Sequence, residues 1–179
     1  MKRLITWSCL LATAAIAIGT IPRQITVTGT QGLISAASTE AEAQAIDLYF
    51  NERKMPLEGY GHKFILEAAR NGLDWRLLPA ISVRESSGGL HACGANPFGW
   101  SSCQRTFKTI DEAIETVARH LGGNATSTRA YYQGKTVPEI LAIYNPPKIM
   151  PTYVPEVLAI MAQIGAAAPE EIEIPPVAK

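Results

Sequence analysis

Glu85 is the side chain in this sequence best placed to do chemistry. Leu78, Ile81, Ser82 and Glu85 follow the i, i+3, i+4, i+7 spacing of one helix face, and Leu77 and Ile81 stand at four-residue steps below Glu85. A helix through this segment therefore carries a mostly apolar stripe that ends in one carboxyl group. Partial desolvation at such a place disfavours the charged form and raises the pKa. A carboxyl that keeps its proton near neutral pH can hand it to a leaving-group oxygen, the first requirement for breaking a glycosidic bond. A Glu at a helix end also serves as an ordinary solvated or capping residue, so its surroundings decide between the two readings. Ser86-Ser87-Gly88-Gly89 halts the helix directly after it and places the carboxyl at a surface opening. Asn96-Pro97-Phe98-Gly99-Trp100 is a turn that returns two aromatic rings and an amide toward the same spot, with Cys93 and Cys103 on either side.

The elements that must position this group form one domain. A chain of 179 residues with 47% hydrophobic content can bury one core. Sixteen basic and sixteen acidic residues cancel, so the charge excess of a nucleic-acid-binding surface is missing. Lys2-Arg3 followed by the apolar run Leu10 to Ile21 reads as an export signal, with A-x-A cleavage positions at Ala41-Glu42-Ala43 and Ala43-Gln44-Ala45. The competing reading is an uncleaved membrane anchor over Leu4 to Ile21, near the lower length limit for a spanning helix. Once Cys9 departs with the signal, Cys93 and Cys103 form an even pair in an oxidising compartment. Closing so short a loop is worth about 2–3 kcal/mol in the chain-entropy account. Their spacing does not suit zinc, and His91 is the only histidine nearby, so neither metal nor cofactor is expected. His62 and His120 read as surface or satisfied residues.

Before residue 46 nothing in the sequence argues for a packed element, which divides the chain into a signal and linker over 1–45, a domain over 46–165 and a disordered tail over 166–179. Phe64-Ile65 and Ala68-Ala69 mark a helix from Tyr60 to Asn71 that Gly72 closes. Asp74 suits the N-cap of the Glu85 helix, but Pro79 then lies past the first turn, so the helix either starts near Leu77 or opens with an irregular turn. Residues 90–106 read as an irregular loop tied by the disulfide, with room for a short β-ribbon. Thr109 and Glu112 form a capping box before the stripe Ile110, Ala113, Ile114, Val117, Ala118 and Leu121. Thr136 and Glu139 repeat it before a helix that Asn145-Pro146-Pro147 stops. A last helix spans Thr152 to Gln163 with Val154, Val157, Leu158, Met161 and Ile164 facing inward. The fold class is mainly α.

In sequence order, LLPAI…ES-x-GG, NPFGW, a capped F-x-x-x-x-EAI helix and YYQGKTVPEILAIYNPP…PTYVPEVLAIMAQI resemble the lysozyme-like superfamily. The pattern is most similar to the bacterial endo-β-N-acetylglucosaminidase-type domain that cuts peptidoglycan, with partial similarity to lytic transglycosylases, and it covers about residues 55 to 164. The resemblance implies a compact lysozyme-like helical domain. It implies Glu85 as the catalytic acid, with Ser86 beside it at the substrate; Asn96, Phe98 and Gly99 as the loop bordering the sugar cleft; and Tyr144, Asn145 and Tyr153 as substrate contacts on the opposite wall. No G-L-M-Q-type segment follows the Glu, which departs from lytic transglycosylases and favours the glucosaminidase-like reading. Phe98 and Trp100 serve equally well as core plugs beneath the loop, Tyr144 as a backbone partner and Tyr153 as a staple.

Between Glu85 and Asp111 the chain has no Asp or Glu, and Asp111 and Glu112 are accounted for by helix capping and the helix dipole. The expectation is a single-acid mechanism in which Glu85 protonates the glycosidic oxygen. The developing cation is then relieved by the substrate's N-acetyl group, by water or by an internal hydroxyl. The expected protein is an exported monomer whose partner is the peptidoglycan glycan strand, meeting a membrane only if the N-terminal segment stays attached. A transglycosylase or muramidase of the same superfamily, a non-catalytic glycan-binding domain and a structural envelope protein are the alternatives.

Overall fold

The computed structural model describes residues 28–168, with side chains from residue 36 onward. Helices α1 (Thr28–Glu52), α2 (Gly61–Asn71), α3 (Leu77–Ser86), α4 (Ile110–Leu121), α5 (Arg129–Tyr132), α6 (Val137–Tyr144) and α7 (Tyr153–Ala166) follow one another, and no strand is present among the described residues. The fold is mainly helical, as its apolar periodicity and capping signals require. The apolar run expected to be an export signal and most of the expected tail lie outside the described residues. Among those described, no helix is long and apolar enough to cross a membrane.

Local rules place the helix ends. Thr109 Oγ1 accepts the Glu112 N–H at 3.1 Å, and Glu112 reaches back to the Lys108 N–H at 2.8 Å. On α6 Thr136 and Glu139 close the full reciprocal box, with Glu139 accepting the N–H of the N-cap Thr136 itself. Gly72 ends α2 at φ +66°, where a residue with a Cβ would be strained. Of the two openings considered for the Glu85 helix, the later one is found. Asp74 turns its carboxylate to the Arg76 N–H and guanidinium, and α3 begins at Leu77. Pro79 therefore sits in the first turn, where its missing N–H costs nothing.

Two expectations change. The boundary at residue 46 falls inside α1, whose residues Ala43 and Ala45 are already fully buried with Ile46, Tyr49 and Phe50. Residues 28–41 are largely Ala, Ser, Thr and Gly, which offer too little contrast between faces to reveal a helix by period. Both cleavage motifs accordingly lie within this helix. On α7, Tyr153, Val157, Met161 and Ile164 face inward, whereas Leu158 is exposed and Val154 only partly covered. The loop of 90–106 is irregular, and its ribbon reduces to one bridge between Cys93 and Asn96.

The core runs between the helices. Phe50, Phe64, Leu77, Leu78, Ile81, Ile114, Leu121 and Leu141 are fully buried in one cluster. Gly61 lets α1 and α2 cross closely: a Cβ there would stand 2.2 Å from the Ala43 carbonyl oxygen. Asp47 on α1 accepts the Gly59 and Gly61 N–H groups at 2.9 Å each, so the start of α2 is tied to α1 by a carboxylate at its positive end. Helix α3 packs on α7, and this pairing sets the site.

Candidate active site

Glu85 stands at the last turn of α3. The chain leaves the helix through Ser87 in the left-handed region, with Ser87 N–H on the Val83 carbonyl at 2.9 Å and Gly88 N–H on the Ser82 carbonyl at 3.1 Å. The Ser86 hydroxyl accepts the Gly89 N–H and donates to the Pro97 carbonyl at 2.7 Å, which pulls the following loop against the helix end. Within that loop Asn96 accepts the Trp100 N–H at 3.1 Å and donates to the carbonyls of Trp100 and Arg105. The Tyr144 hydroxyl, from the end of α6, donates to the Phe98 carbonyl at 2.5 Å. Helices α3 and α6, together with the loop's own Asn96, thus hold residues 96–100 in one place. Gly99 comes to lie beside Glu85, and a Cβ there would sit 3.3 Å from Glu85 Oε2 at an unfavourable φ of +61°.

The carboxyl opens onto a cleft of about 370 Å³ lined by Glu85, Gly99, Trp100, Ser101, Ser102, Tyr132, Tyr144 and Asn145. That lies in the ~300–1,000 Å³ range usual for small-molecule sites. One oxygen, Oε1, accepts the Tyr153 hydroxyl at 2.6 Å from the start of α7. Burial holds the Glu85 carboxyl above the usual glutamate range, against smaller lowering effects of the Tyr153 bond and the nearby Arg84 charge. Burial and the adjoining carboxyl raise Tyr153 far above the ordinary phenol range, and burial first does the same for Tyr144. Both phenols are therefore neutral donors at any physiological pH. With Oε1 occupied by the phenol, Oε2 is the oxygen free to carry a proton beside Gly99.

No protein-family model matches this chain, and no curated protein matches it. What the site can do follows from its own geometry. An aromatic wall faces the acid. Trp100 lies against His120 with ring centres 5.0 Å apart and against Tyr144 at 5.8 Å, and Tyr144 stacks nearly parallel on Tyr153 at 6.1 Å. Burial and the charges of Arg119 and Arg105 lower the His120 pKa, so its ring is neutral behind Trp100 and bonds to Thr128 Oγ1 at 2.9 Å. Flat apolar rings beside hydroxyl and amide groups suit a ligand with one apolar face and many hydroxyls.

The residues singled out in the sequence separate into three positions. Glu85, Tyr144 and Asn145 line the cleft. Tyr153 is 1% exposed and touches the acid from behind. Ser86, Asn96 and Phe98, expected at the substrate, are instead buried beneath the loop, with the hydroxyl and amide taken up by backbone groups. Cys93 and Cys103 are joined as a disulfide. This bridge ties down Ser101, Ser102 and Cys103, which adopt φ values of +56°, +53° and +62° in succession at the cleft rim. Such a run costs about 1–2 kcal/mol per residue without glycine, so the rim needs its tether. Sequence reasoning did not reach Tyr132, whose helix α5 has only four residues and no period to read. It also passed over Arg84 and Glu156, which pair at 2.5 Å across 72 residues of chain.

Among the described residues, no group of His, Cys, Asp or Glu gathers in a way that could hold a metal ion. Glu85 is the only carboxylate among the residues lining the cleft. Glu112 is engaged at the start of α4.

Proposed function

We propose that this chain is a peptidoglycan-cleaving glycosidase that acts on β-1,4 bonds between N-acetylated amino sugars, with Glu85 as general acid. One observation carries the reading: a partly buried carboxyl faces a cleft, held by a neutral phenol and not by a cation. The ordered motifs that resemble the lysozyme-like superfamily, glucosaminidase type, supply the substrate class, and the helical fold with Glu85 at the end of α3 agrees with that resemblance. The signal-like N-terminus and the disulfide fit action outside the cytoplasm.

In this reading the sugar chain lies along the Trp100 and Tyr144 wall, and Asn145 hydrogen-bonds its polar substituents. Glu85 Oε2 gives its proton to the glycosidic oxygen as the bond to the anomeric carbon breaks. The oxygen leaves as a hydroxyl, and the positive charge at the anomeric carbon is met by the carbonyl oxygen of the substrate's own N-acetyl group. Water then adds at that carbon, and its proton returns to Glu85. A second protein carboxylate is not needed for these steps, in keeping with the cleft lining. Tyr153 keeps Oε1 occupied and so aims the proton from Oε2.

Mass spectrometry of fragments released from isolated peptidoglycan tests this. A reducing N-acetylglucosamine end supports the proposed bond and hydrolysis. An anhydro end assigns the chain to the transglycosylase type, with an internal hydroxyl replacing water. Glu85→Gln is expected to lower release about 10²–10⁴-fold, the usual worth of general acid catalysis. Glycan binding without any release from the wild type would leave a carbohydrate-binding domain and overturn the proposal.

A further inference from the structure

Arg84 precedes the acid directly in sequence, and a guanidinium beside a carboxyl favours the carboxylate. The structure sends this cation elsewhere. Arg84 Nε meets Glu156 Oε2 at 2.5 Å, its NH2 group meets the Met150 sulfur at 2.9 Å, and its carbon lies 5.9 Å from the centre of the Tyr153 ring. Glu156 follows Tyr153 by three residues, so both face α3 from the first turn of α7. Two neighbours on α3 thus grip one turn of α7 by opposite means: Glu85 takes a phenol and Arg84 takes a carboxylate.

This ion pair is half-exposed, with 31% of the Arg84 and 43% of the Glu156 side chain in solvent. Pairs of that kind contribute little to stability. Its placement matters more. The ionisable groups around Glu85 are Tyr153 from α7, Tyr144 from α6, Tyr132 of α5 in the shared cleft, and Arg84 from its own helix. The rim Gly99–Ser102 carries none. Arg84 is therefore the cation whose position decides the charge felt by the acid, and burial, the stronger influence on Glu85, acts in the opposite direction.

We propose that Glu156 is a positioning residue for the acid: it takes up the Arg84 guanidinium, which otherwise turns onto the Glu85 carboxylate and locks it in an ion pair. The consequence for cleavage rests on the general-acid role given to Glu85 above; the consequence for its protonation does not. Without Glu156 the Arg84 charge still acts on the Glu85 carboxyl, and a guanidinium turned onto it favours the carboxylate over the acid.

The test follows the Glu85 carboxyl carbon by NMR across a pH series in the full chain, with the resonance assigned by its loss in Glu85→Gln. Wild type, Glu156→Gln, Arg84→Met and the double variant Arg84→Met/Glu156→Gln are compared, and fragment release from peptidoglycan is measured over the same series. In Glu156→Gln the midpoint of Glu85 falls by about one unit, and the pH above which turnover declines falls with it, about tenfold in kcat at pH 7 with KM within about twofold. In the double variant, which has no cation to place, both return to the wild-type position or lie above it, since the Arg84 charge lowers Glu85 even from its place on Glu156. A midpoint unmoved by Glu156→Gln, or equally lowered in the double variant, overturns the proposal. Cleavage by the wild type with an unmoved midpoint removes the positioning role and leaves the glycosidase; a moved midpoint without cleavage in any variant does the reverse.

Discussion

Glu67 and Glu85 are both withdrawn from water, and they have been given opposite company. Glu67 on α2 is 2% exposed, and its carboxylate lies between Lys63 at 2.9 Å and Arg70 at 3.0 Å. Glu85 on α3 is less buried, yet its polar partner is the Tyr153 hydroxyl, and the one neighbouring cation is held by Glu156. Burial alone does not make an acid. At Glu67 the fold supplies positive charge and obtains an ion pair that joins turns of α2. At Glu85 it supplies a neutral donor, so the cost of desolvating a charge is left standing and the pKa is raised. A cleft beside the second and cations around the first separate the proposed catalytic acid from a supporting charge.

Exchanging the two roles by mutation sharpens this contrast. The largest effect on stability belongs to Glu67→Ala. Removing one member of a buried pair strands its partners, and because Arg70 can turn to water the loss is about 2–3 kcal/mol by denaturant unfolding. Turnover per folded molecule stays at the wild-type level; a selective loss of turnover would erase the distinction. Next comes Tyr153→Phe, which deletes the hydrogen bond to the acid and leaves the ring in the core. Bonds to groups that become charged are worth about 1.5–3 kcal/mol, so kcat drops about 10–100-fold. Because the phenol lowers the Glu85 value, its loss raises that value further, and the alkaline limb of the activity profile moves to higher pH. A limb that moves down contradicts the assignment of Tyr153 as donor.

The smallest effect is on the stability of Glu85→Gln. The folded pKa of Glu85 is raised, so the fold binds this proton more tightly than the unfolded chain does. Below the ordinary glutamate range both states are protonated, and wild type and variant melt alike. As pH rises through the raised folded value, the wild type alone must ionise a partly buried carboxyl and loses stability. Above that value the variant should melt higher, by on the order of 2 °C for a domain of this size. A variant that is less stable at pH 8 than at pH 4, relative to wild type, reverses the sign and places Glu85 with Glu67 among the supporting charges.

What the sequence discloses and what it hides divide along the range of the interactions. Capping at Thr109 and Thr136, the stop at Gly72 and the start of α3 at Leu77 all depend on groups within a few residues, and all are legible. The apolar ladder beneath Glu85 is legible for the same reason, since Leu77, Leu78 and Ile81 are fully buried. The start of α1 is not, because its Ala- and Ser-rich turns have no marked face and are helical through continuity with a packed end at Ala43–Phe50. The functions of Ser86 and Asn96 escape for a different reason. A short polar side chain next to an acid reads as a substrate contact, and only the folded loop shows that Pro97, Trp100 and Arg105 carbonyls have already claimed it. Arg84 and Glu156 look like two ordinary surface charges until α3 and α7 are brought together.

The central claim is that the acid in the cleft, and not the acid in the ion pair, breaks the sugar chain. Its most direct test is fragment release from isolated peptidoglycan by wild type, Glu85→Gln and Glu67→Gln at equal concentrations of folded protein and pH 6. The account predicts wild-type release for Glu67→Gln and a loss of about 10²–10⁴-fold for Glu85→Gln. Release by Glu85→Gln at the wild-type rate would contradict it.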